Sequence, residues 1–178
     1  KVFWGLDSSL AYSRHFPAIN WLTSYSLYRE RLSDWFTENV SRDWIPLTRR
    51  CLKTLQTESE LKEIVQLIGA DALSPDDRLT LEAARSLRED FLQQNAFEDG
   101  DSYTPLNKQC ALLRLIFSFE DKCRRAIARG ASVDEIADLP VREKIGRAKS
   151  APVDSFEADY AEIEAELDRE LEAAIPKK

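Results

Sequence analysis

Residues 71–79 read Asp-Ala-Leu-Ser-Pro-Asp-Asp-Arg-Leu, and this stretch decides how the middle of the chain folds. Ser74 is of a type that caps a helix N-terminus, and Pro75 suits the first helical position because no N–H is needed there. Asp76 and Asp77 follow, and their negative charges are stabilised at the positive end of a helix dipole. The stretch therefore predicts a helix that begins at Pro75.

A second motif, Gln-Gln-Asn-Ala-Phe at residues 93–97, lies downstream of this helix start. Between the two motifs, apolar residues recur at helical spacing and form one buried stripe: Leu79, Ala84, Leu87 and Phe91. We expect one rigid helix that ties the acidic loop at one end to Phe97 at the other.

Helical patterns also cover the rest of the chain from Trp44 onwards. Apolar residues recur through 47–68 and stop at Gly69, a residue typical of helix C-termini. Thr57 and Glu60 match a capping box, which leaves open whether this stretch is one helix or two. Glycine and aspartates at 98–101 favour a turn.

Helix starts are predicted at Thr104-Pro105, Ser132 and Pro140, and a last amphipathic helix follows. The apolar face of this last helix carries Phe156, Tyr160, Ile163, Leu167 and Leu171. Nine acidic residues lie between Asp154 and Glu172, either as a solvated face or as a docking surface for a basic partner. We predict a mainly α fold, a bundle of about five to seven helices with a short extended N-terminal piece.

The overall charge restricts the classes of partner. A net charge of −7 and a pI near 4.9 argue against nucleic-acid binding, which needs a basic face. Direct membrane insertion is not expected, because no apolar run reaches the roughly 20 residues of a membrane-spanning helix. Cys51, Cys110 and Cys123 lie in helical patterns without metal-site spacing, which predicts buried, reduced thiols and a cytosolic compartment.

The sequence contains no recognisable catalytic motif. The chain has no Gly-x-x-x-x-Gly-Lys-[Ser/Thr] loop to hold a triphosphate, and its one histidine, His15, lacks the surroundings of a nucleophile elbow. We therefore predict no catalytic residue and no metal site, and we interpret His15 as structural.

Three stretches resemble the catalytic subunits of rotary ATPases. The loop at 71–79 resembles the acidic loop that faces the central rotor, although Ala72 and Pro75 stand where the F-type pattern has glutamates. Residues 14–26, Arg-His-Phe-Pro-Ala-Ile-Asn-Trp-Leu-Thr-Ser-Tyr-Ser, resemble the segment after the nucleotide domain in A-type and V-type subunits. Residues 139–145, Leu-Pro-Val-Arg-Glu-Lys-Ile, resemble the same family.

This resemblance implies the C-terminal region of the catalytic A (alpha) subunit of an archaeal or bacterial V-type (A-type) ATPase that moves protons or sodium ions. Residues 1–43 would be the truncated tail of the nucleotide-binding domain, and 44–178 a C-terminal helical domain. The strand-forming Val2, Phe3 and Trp4 agree with this, because such an edge exposes apolar side chains unless a sheet lies beside it.

The resemblance also implies cofactors, partners and a location. The complete subunit would bind ATP or ADP with Mg²⁺ and hydrolyse or synthesise ATP. The chain alone would be inactive and hold no nucleotide tightly, because it lacks the phosphate-binding loop. Partners would be the non-catalytic B subunits and the central stalk subunits, at a cytoplasmic location peripheral to the membrane. The alternative is an autonomous acidic helical protein-interaction module.

Two candidate sites follow from the family. In its members an aromatic before a proline and a second aromatic in the helical region hold adenine, and Phe16 and Phe97 match them. The pocket would also include Pro17, Gln93, Gln94 and Ala96; from the residues alone, Phe16 and Phe97 would instead be core. The rotor contact would be formed by Asp71, Ser74, Asp76 and Asp77, for which a helix cap is the alternative interpretation.

Overall fold

The computed structural model describes residues 1–176, and most of them are helical. The chain begins with an antiparallel pair of strands, β1 (Val2–Leu6) and β2 (Ile19–Ser26), separated by α1 (Ser8–Tyr12). The remaining helices are α2 (Ser33–Asn39), α3 (Trp44–Ile68), α4 (Pro75–Ser86), α5 (Asp99–Ser102), α6 (Leu106–Ala128), α7 (Val133–Ala137), α8 (Val141–Arg147) and α9 (Phe156–Ala174).

This architecture confirms the mainly α prediction and the short extended N-terminal piece. Within the described residues, seven helices lie from Trp44 onwards and two short ones precede it. The predicted second domain extends to 178, and its last two positions lie outside the described residues. β1 pairs with β2 from Val2 opposite Ser26 to Leu6 opposite Ile19, and the side chains of Val2, Phe3 and Trp4 are exposed.

The start of α4 is as the sequence predicts. Ser74 caps the helix, and its Oγ accepts a hydrogen bond from the backbone N–H of Asp77 at 3.1 Å. Pro75 is the first helical residue, and Asp76 lies with Asp77 in the first turn. Local chemistry therefore suffices to fix this helix end.

The continuous helix predicted up to Phe97 is wrong. The α-helical part ends at Ser86, residues 87–92 form a π-helical segment, and the chain becomes extended at Gln93. The last turn of the π-helical segment is closed by a hydrogen bond, in which the N–H of Gln93 donates to the carbonyl of Arg88 at 2.9 Å. Contacts from the N-terminal segment hold this region, so its conformation depends on residues far away in the chain.

Helix α3 is one uninterrupted helix of 25 residues, so the capping box at Thr57 and Glu60 does not form. Buried residues lie on both sides of Thr57, among them Leu55 and Leu61, and their packing favours a continuous helix. The helix ends at Gly69, whose φ of 90° lies in the region that favours glycine.

Helix α6 runs through the core and packs against α4 and α9. The predicted apolar face of α9 is buried, with Leu167 fully inaccessible. All three cysteines are buried thiols, as predicted. The stretch expected as a turn at 98–101 instead leads into the one-turn helix α5.

None of the helices in residues 1–176 combines the length and the apolar character that crossing a membrane requires. In the same part of the chain, no cluster of histidine, cysteine and acidic side chains has the geometry of a metal site.

Arg142 carries a charge into the core. Its side chain is 11% exposed, and its guanidinium carbon lies 4.7 Å from the ring centroid of Phe119. Its Nη2 lies 3.5 Å from an oxygen of Glu82, whereas within the described residues Nε and Nη1 have no hydrogen-bond partner. Burial lowers the pKa of Arg142, because the charged form loses its hydration.

We expect Arg142→Met to leave the free energy of unfolding within about 1 kcal/mol of the wild-type value, or to raise it. The reason is that the buried guanidinium is poorly paired, while Glu82 keeps an ion pair with Arg85 at 2.6 Å. Urea unfolding followed by circular dichroism measures the difference. A loss of more than about 2 kcal/mol would mean that the cation stabilises the core, contrary to this interpretation.

Candidate functional site

The N-terminal segment meets the end of the π-helical segment. The backbone N–H of Gln94 donates to the carbonyl of Phe16 at 2.7 Å. Pro17 and Gln94 line a cavity of about 310 Å³, together with residues of the π-helical segment, α5 and α6. The structure therefore brings Phe16 and Pro17 next to Gln94, although Gln94 lies almost eighty positions further along the chain.

His15 contacts both sides of this junction. Its side chain is buried, and its Nε2 lies 3.0 Å from the carbonyl oxygen of Arg88. Its Nδ1 lies 3.3 Å from the carbonyl oxygen of Pro17, and its ring packs near Trp21. These contacts with backbone oxygens agree with the structural role predicted for His15.

Arg88 extends the connection to α3. Its Nε donates to both oxygens of Glu58, at 3.0 and 3.1 Å. The Glu58 side chain is only 5% exposed and also contacts Lys62 at 2.9 Å. Through Arg88, the backbone beside Phe16 is thus linked to the long helix α3.

The segment from Gln93 to Phe97 is held by its backbone. The carbonyl of Gln93 accepts a hydrogen bond from Lys149 Nζ at 2.8 Å, and the N–H of Asn95 donates to Asp101 at 2.6 Å. Ala96 and Phe97 project into solvent, with Phe97 fully exposed. The Phe16 side chain is also 54% exposed, so the interpretation of both phenylalanines as core residues is wrong.

Several residues of this region could not be identified from the sequence. Asp101, Tyr103 and Lys149 line the cavity, and Lys149 comes from the short turn after α8. The fully buried Lys108 holds this turn by donating to the carbonyls of Lys149 and Ala151 at 2.7 and 2.5 Å. No local pattern marks these residues, because their proximity arises only when the helices pack.

The acidic loop is engaged within the molecule at two of its carboxylates. Asp76 forms an ion pair with Arg124 of α6, and Asp77 accepts a hydrogen bond from Ser74 Oγ at 2.7 Å. Asp71 is exposed and lies in a 3₁₀ turn at 70–72. Hence Asp71 is the carboxylate of this loop that is most available for a contact.

Part of the acidic face of α9 is paired with cations of the same chain. Lys122 contacts Glu164 and Asp168 at 3.2 and 2.8 Å. Lys144 pairs with Glu166, and the pair of Arg129 and Glu172 has a distance of 3.1 Å. Four of the nine acidic residues between Asp154 and Glu172 are thus paired, and the other five form no ion pair with the described residues.

Comparison with known sequences agrees with the motifs. A profile of the family described as C-terminal domain of V and A type ATP synthase matches residues 33–137. The V-type ATP synthase alpha chain of Acetivibrio thermocellus is 58% identical over 178 residues, which is 100% of this chain and 30% of that protein.

Two further relatives are similar over almost the whole chain. The V-type ATP synthase alpha chain 1 of Clostridium tetani is 53% identical over 177 residues, 99% of this chain and 30% of its own length. The alpha chain of Clostridioides difficile is 52% identical over 178 residues, 100% of this chain and 30% of its own. The chain thus spans about 30% of the length of these curated relatives. With a family match over more than half of its residues, the chain belongs to the family of V-type and A-type ATP synthase C-terminal domains.

Proposed function

We propose that this chain works within a complete catalytic subunit, where it forms one wall of the adenine pocket. The wall consists of Phe16 and Pro17 on one side and Gln93, Gln94, Ala96 and Phe97 on the other. The observation that carries the proposal is the 2.7 Å hydrogen bond between Gln94 and Phe16, which joins the two sequence motifs.

The exposure of both phenylalanines supports this function. A purine ring stacks on an aromatic face without requiring a charge, and each such stack contributes about 1–3 kcal/mol. Phe16 and Phe97 are both exposed, so their rings are free to stack on a purine. A glutamine amide beside them suits the hydrogen-bonding edge of adenine.

Phosphate and Mg²⁺ would be held by other parts of the subunit, because the chain contains no phosphate-binding loop. We assign residues 1–43 to the end of the nucleotide-binding domain and 44–178 to the helical domain. The exposed Val2, Phe3 and Trp4 support this division, since a neighbouring sheet would cover them. The chain alone is then inactive and without tightly bound nucleotide.

The loop of Asp71, Ser74, Asp76 and Asp77 would contact the central stalk, and the non-catalytic B subunits would lie beside the complete subunit. Closure of the pocket around ATP or ADP would move α3 and α4 and push on the stalk. The protein would then lie on the cytoplasmic side of the membrane, attached through the ATPase complex.

Phe97→Ala in the complete subunit is expected to weaken ATP binding by roughly 5- to 150-fold, the equivalent of one lost stack. Fluorescence titration with a labelled ATP analogue measures the change. Phe97→Tyr is the matched control and retains most of the affinity, because the aromatic face remains. Unchanged affinity in the alanine variant would remove Phe97 from the pocket.

A further inference from the structure

The position of Phe97 is set by its backbone. Within the described part of the chain its side chain is fully exposed, so no neighbouring side chains hold the ring. A preorganised segment binds a ligand more tightly than a mobile one, because the free energy of ordering it is not lost on binding. The contacts that hold the backbone of residues 93–97 therefore decide how well the ring meets a purine.

Two charged side chains hold this backbone. The carbonyl of Gln93 accepts a hydrogen bond from Lys149 Nζ at 2.8 Å. The N–H of Asn95 donates to Asp101 Oδ2 at 2.6 Å, and Lys149 Nζ lies 3.6 Å from the same Oδ2 atom. These contacts close a ring that runs from Gln93 through the two charged side chains to Asn95. We call Lys149 and Asp101 the clamp.

Both side chains of the clamp are shielded from water. The side chain of Lys149 is 17% exposed, and that of Asp101 is 6% exposed. Attraction between opposite charges is screened much less at such sites than at the surface. A hydrogen bond to a charged group is also roughly twice as strong as one between neutral groups. The clamp therefore holds the segment more firmly than exposed polar contacts would.

Lys149 is itself held by two helices of the core. It lies in the 3₁₀ turn Ala148–Ser150. The fully buried Lys108 of α6 donates to the carbonyl of Lys149 at 2.7 Å. The hydroxyl of Tyr160, on α9, donates to the carbonyl of Ala148 at 2.9 Å. The turn that carries Lys149 is thus fixed, and the clamp extends this order to residues 93–97.

We propose that Lys149 and Asp101 are positioning residues that hold Phe97 in place for stacking on adenine. This inference rests on the proposed function of the pocket and adds two residues that act on Phe97 through the backbone. The clamp fixes the carbonyl of Gln93 and the N–H of Asn95. The side-chain oxygen of Asn95 accepts a hydrogen bond from the N–H of Phe97 at 3.1 Å, so the constraint reaches the residue that carries the ring.

A double-mutant cycle in the complete subunit tests this inference. Lys149→Met removes the charge and the donor with little change in side-chain length. We expect it to weaken binding of a labelled ATP analogue by roughly 3- to 10-fold. In a Phe97→Ala background the same substitution should weaken binding by less than about 1.5-fold, because no ring is left to be positioned. Equal losses in both backgrounds would overturn the inference, since a general structural role does not depend on the ring.

The same cycle separates the clamp from the pocket. If Phe97→Ala weakens binding and Lys149→Met does not, the clamp is overturned and the proposed pocket stands. If Phe97→Ala has no effect, the pocket and the clamp are both overturned.

Lys144→Met is the matched control for Lys149→Met. Lys144 lies in α8, pairs with Glu166 and is 52% exposed. The chemical change is the same, but it removes an exposed ion pair away from residues 93–97. We expect the affinity for the analogue to stay within about twofold of the wild-type value. A loss equal to that of Lys149→Met would overturn the specific role of the clamp.

Asp101→Asn is a second variant that keeps the shape of the side chain, for use if Lys149→Met fails to fold. Its side-chain oxygen can still accept from Asn95, but the attraction to Lys149 is lost. We expect at least about a twofold loss of affinity, again only when Phe97 is present. Hydrogen exchange of peptides that span 93–97 should be faster in this variant, at an unchanged melting temperature. Unchanged exchange and affinity would overturn the inference.

Discussion

Leu79→Ala is expected to lower the free energy of unfolding by about 2–5 kcal/mol. Leu79 lies in the second turn of α4 and is completely inaccessible to solvent. Alanine at this position removes buried apolar atoms and leaves a cavity where α4 packs against α6. Urea unfolding of the chain, followed by far-ultraviolet circular dichroism, measures the loss.

Leu67→Ala is the matched control for this substitution. Leu67 lies near the end of α3, the helix that precedes α4, and undergoes the same chemical change. Its side chain, however, is 83% exposed. We expect the control to alter the free energy of unfolding by less than about 0.5 kcal/mol. Equal losses in the two variants would contradict the assignment of Leu79 to the core.

Arg88→Ala is expected to destabilise the chain by about 3 kcal/mol, because it removes the main partner of a buried carboxylate. Glu58 would retain only Lys62, whose own side chain is 52% exposed. The substitution also releases the π-helical segment from α3, so the N-terminal segment held by His15 should loosen. Hydrogen exchange at the amides of Gln93 and Gln94 reports this release.

Two variants separate pairing from general disruption around Arg88. Arg85→Ala removes an ion pair of 2.6 Å at a position where the side chain is 46% exposed, and it should cost less than about 0.5 kcal/mol. Combining Arg88→Ala with Glu58→Gln should recover part of the loss, since the uncompensated charge disappears. If the double variant were as unstable as the sum of the single ones, the two residues would not act as a pair.

Removal of Arg88 and removal of Arg142 are expected to have different effects, although both side chains are largely buried. Arg88 Nε lies 3.0 Å from an oxygen of the nearly inaccessible Glu58. Arg142 Nη2, in contrast, lies 3.5 Å from an oxygen of Glu82. The acid beside Arg142 also retains Arg85. The outcome therefore depends on which partner is left unpaired.

Helices whose ends are fixed by local chemistry could be predicted from the sequence. Ser74 and Pro75 start α4, and Gly69 ends α3, because each supplies or avoids a backbone hydrogen bond within its own turn. The capping box at Thr57 and Glu60 failed for the opposite reason. Packing on both sides of it favoured helix continuity over a local cap.

The candidate site was predictable only in part. Family motifs selected Phe16 and Phe97, and the exposure of both side chains agrees with a binding role more than with a core role. The pairing of Asp76 with Arg124, and the contacts of His15 and Lys149, were not predictable. Each joins residues distant in sequence, and no periodic pattern records which helix faces meet.

The sequence by itself determined the helical class, the apolar faces, the cap of α4 and the family, since these depend on residue type and short-range spacing. The tertiary structure decided where α4 gives way to the π-helical segment, which acids are engaged, and that Leu67 and Ile68 remain uncovered. The physical reason is that hydrogen bonds and ion pairs between distant segments compete with local preferences. Their outcome depends on distances that exist only after the chain has packed.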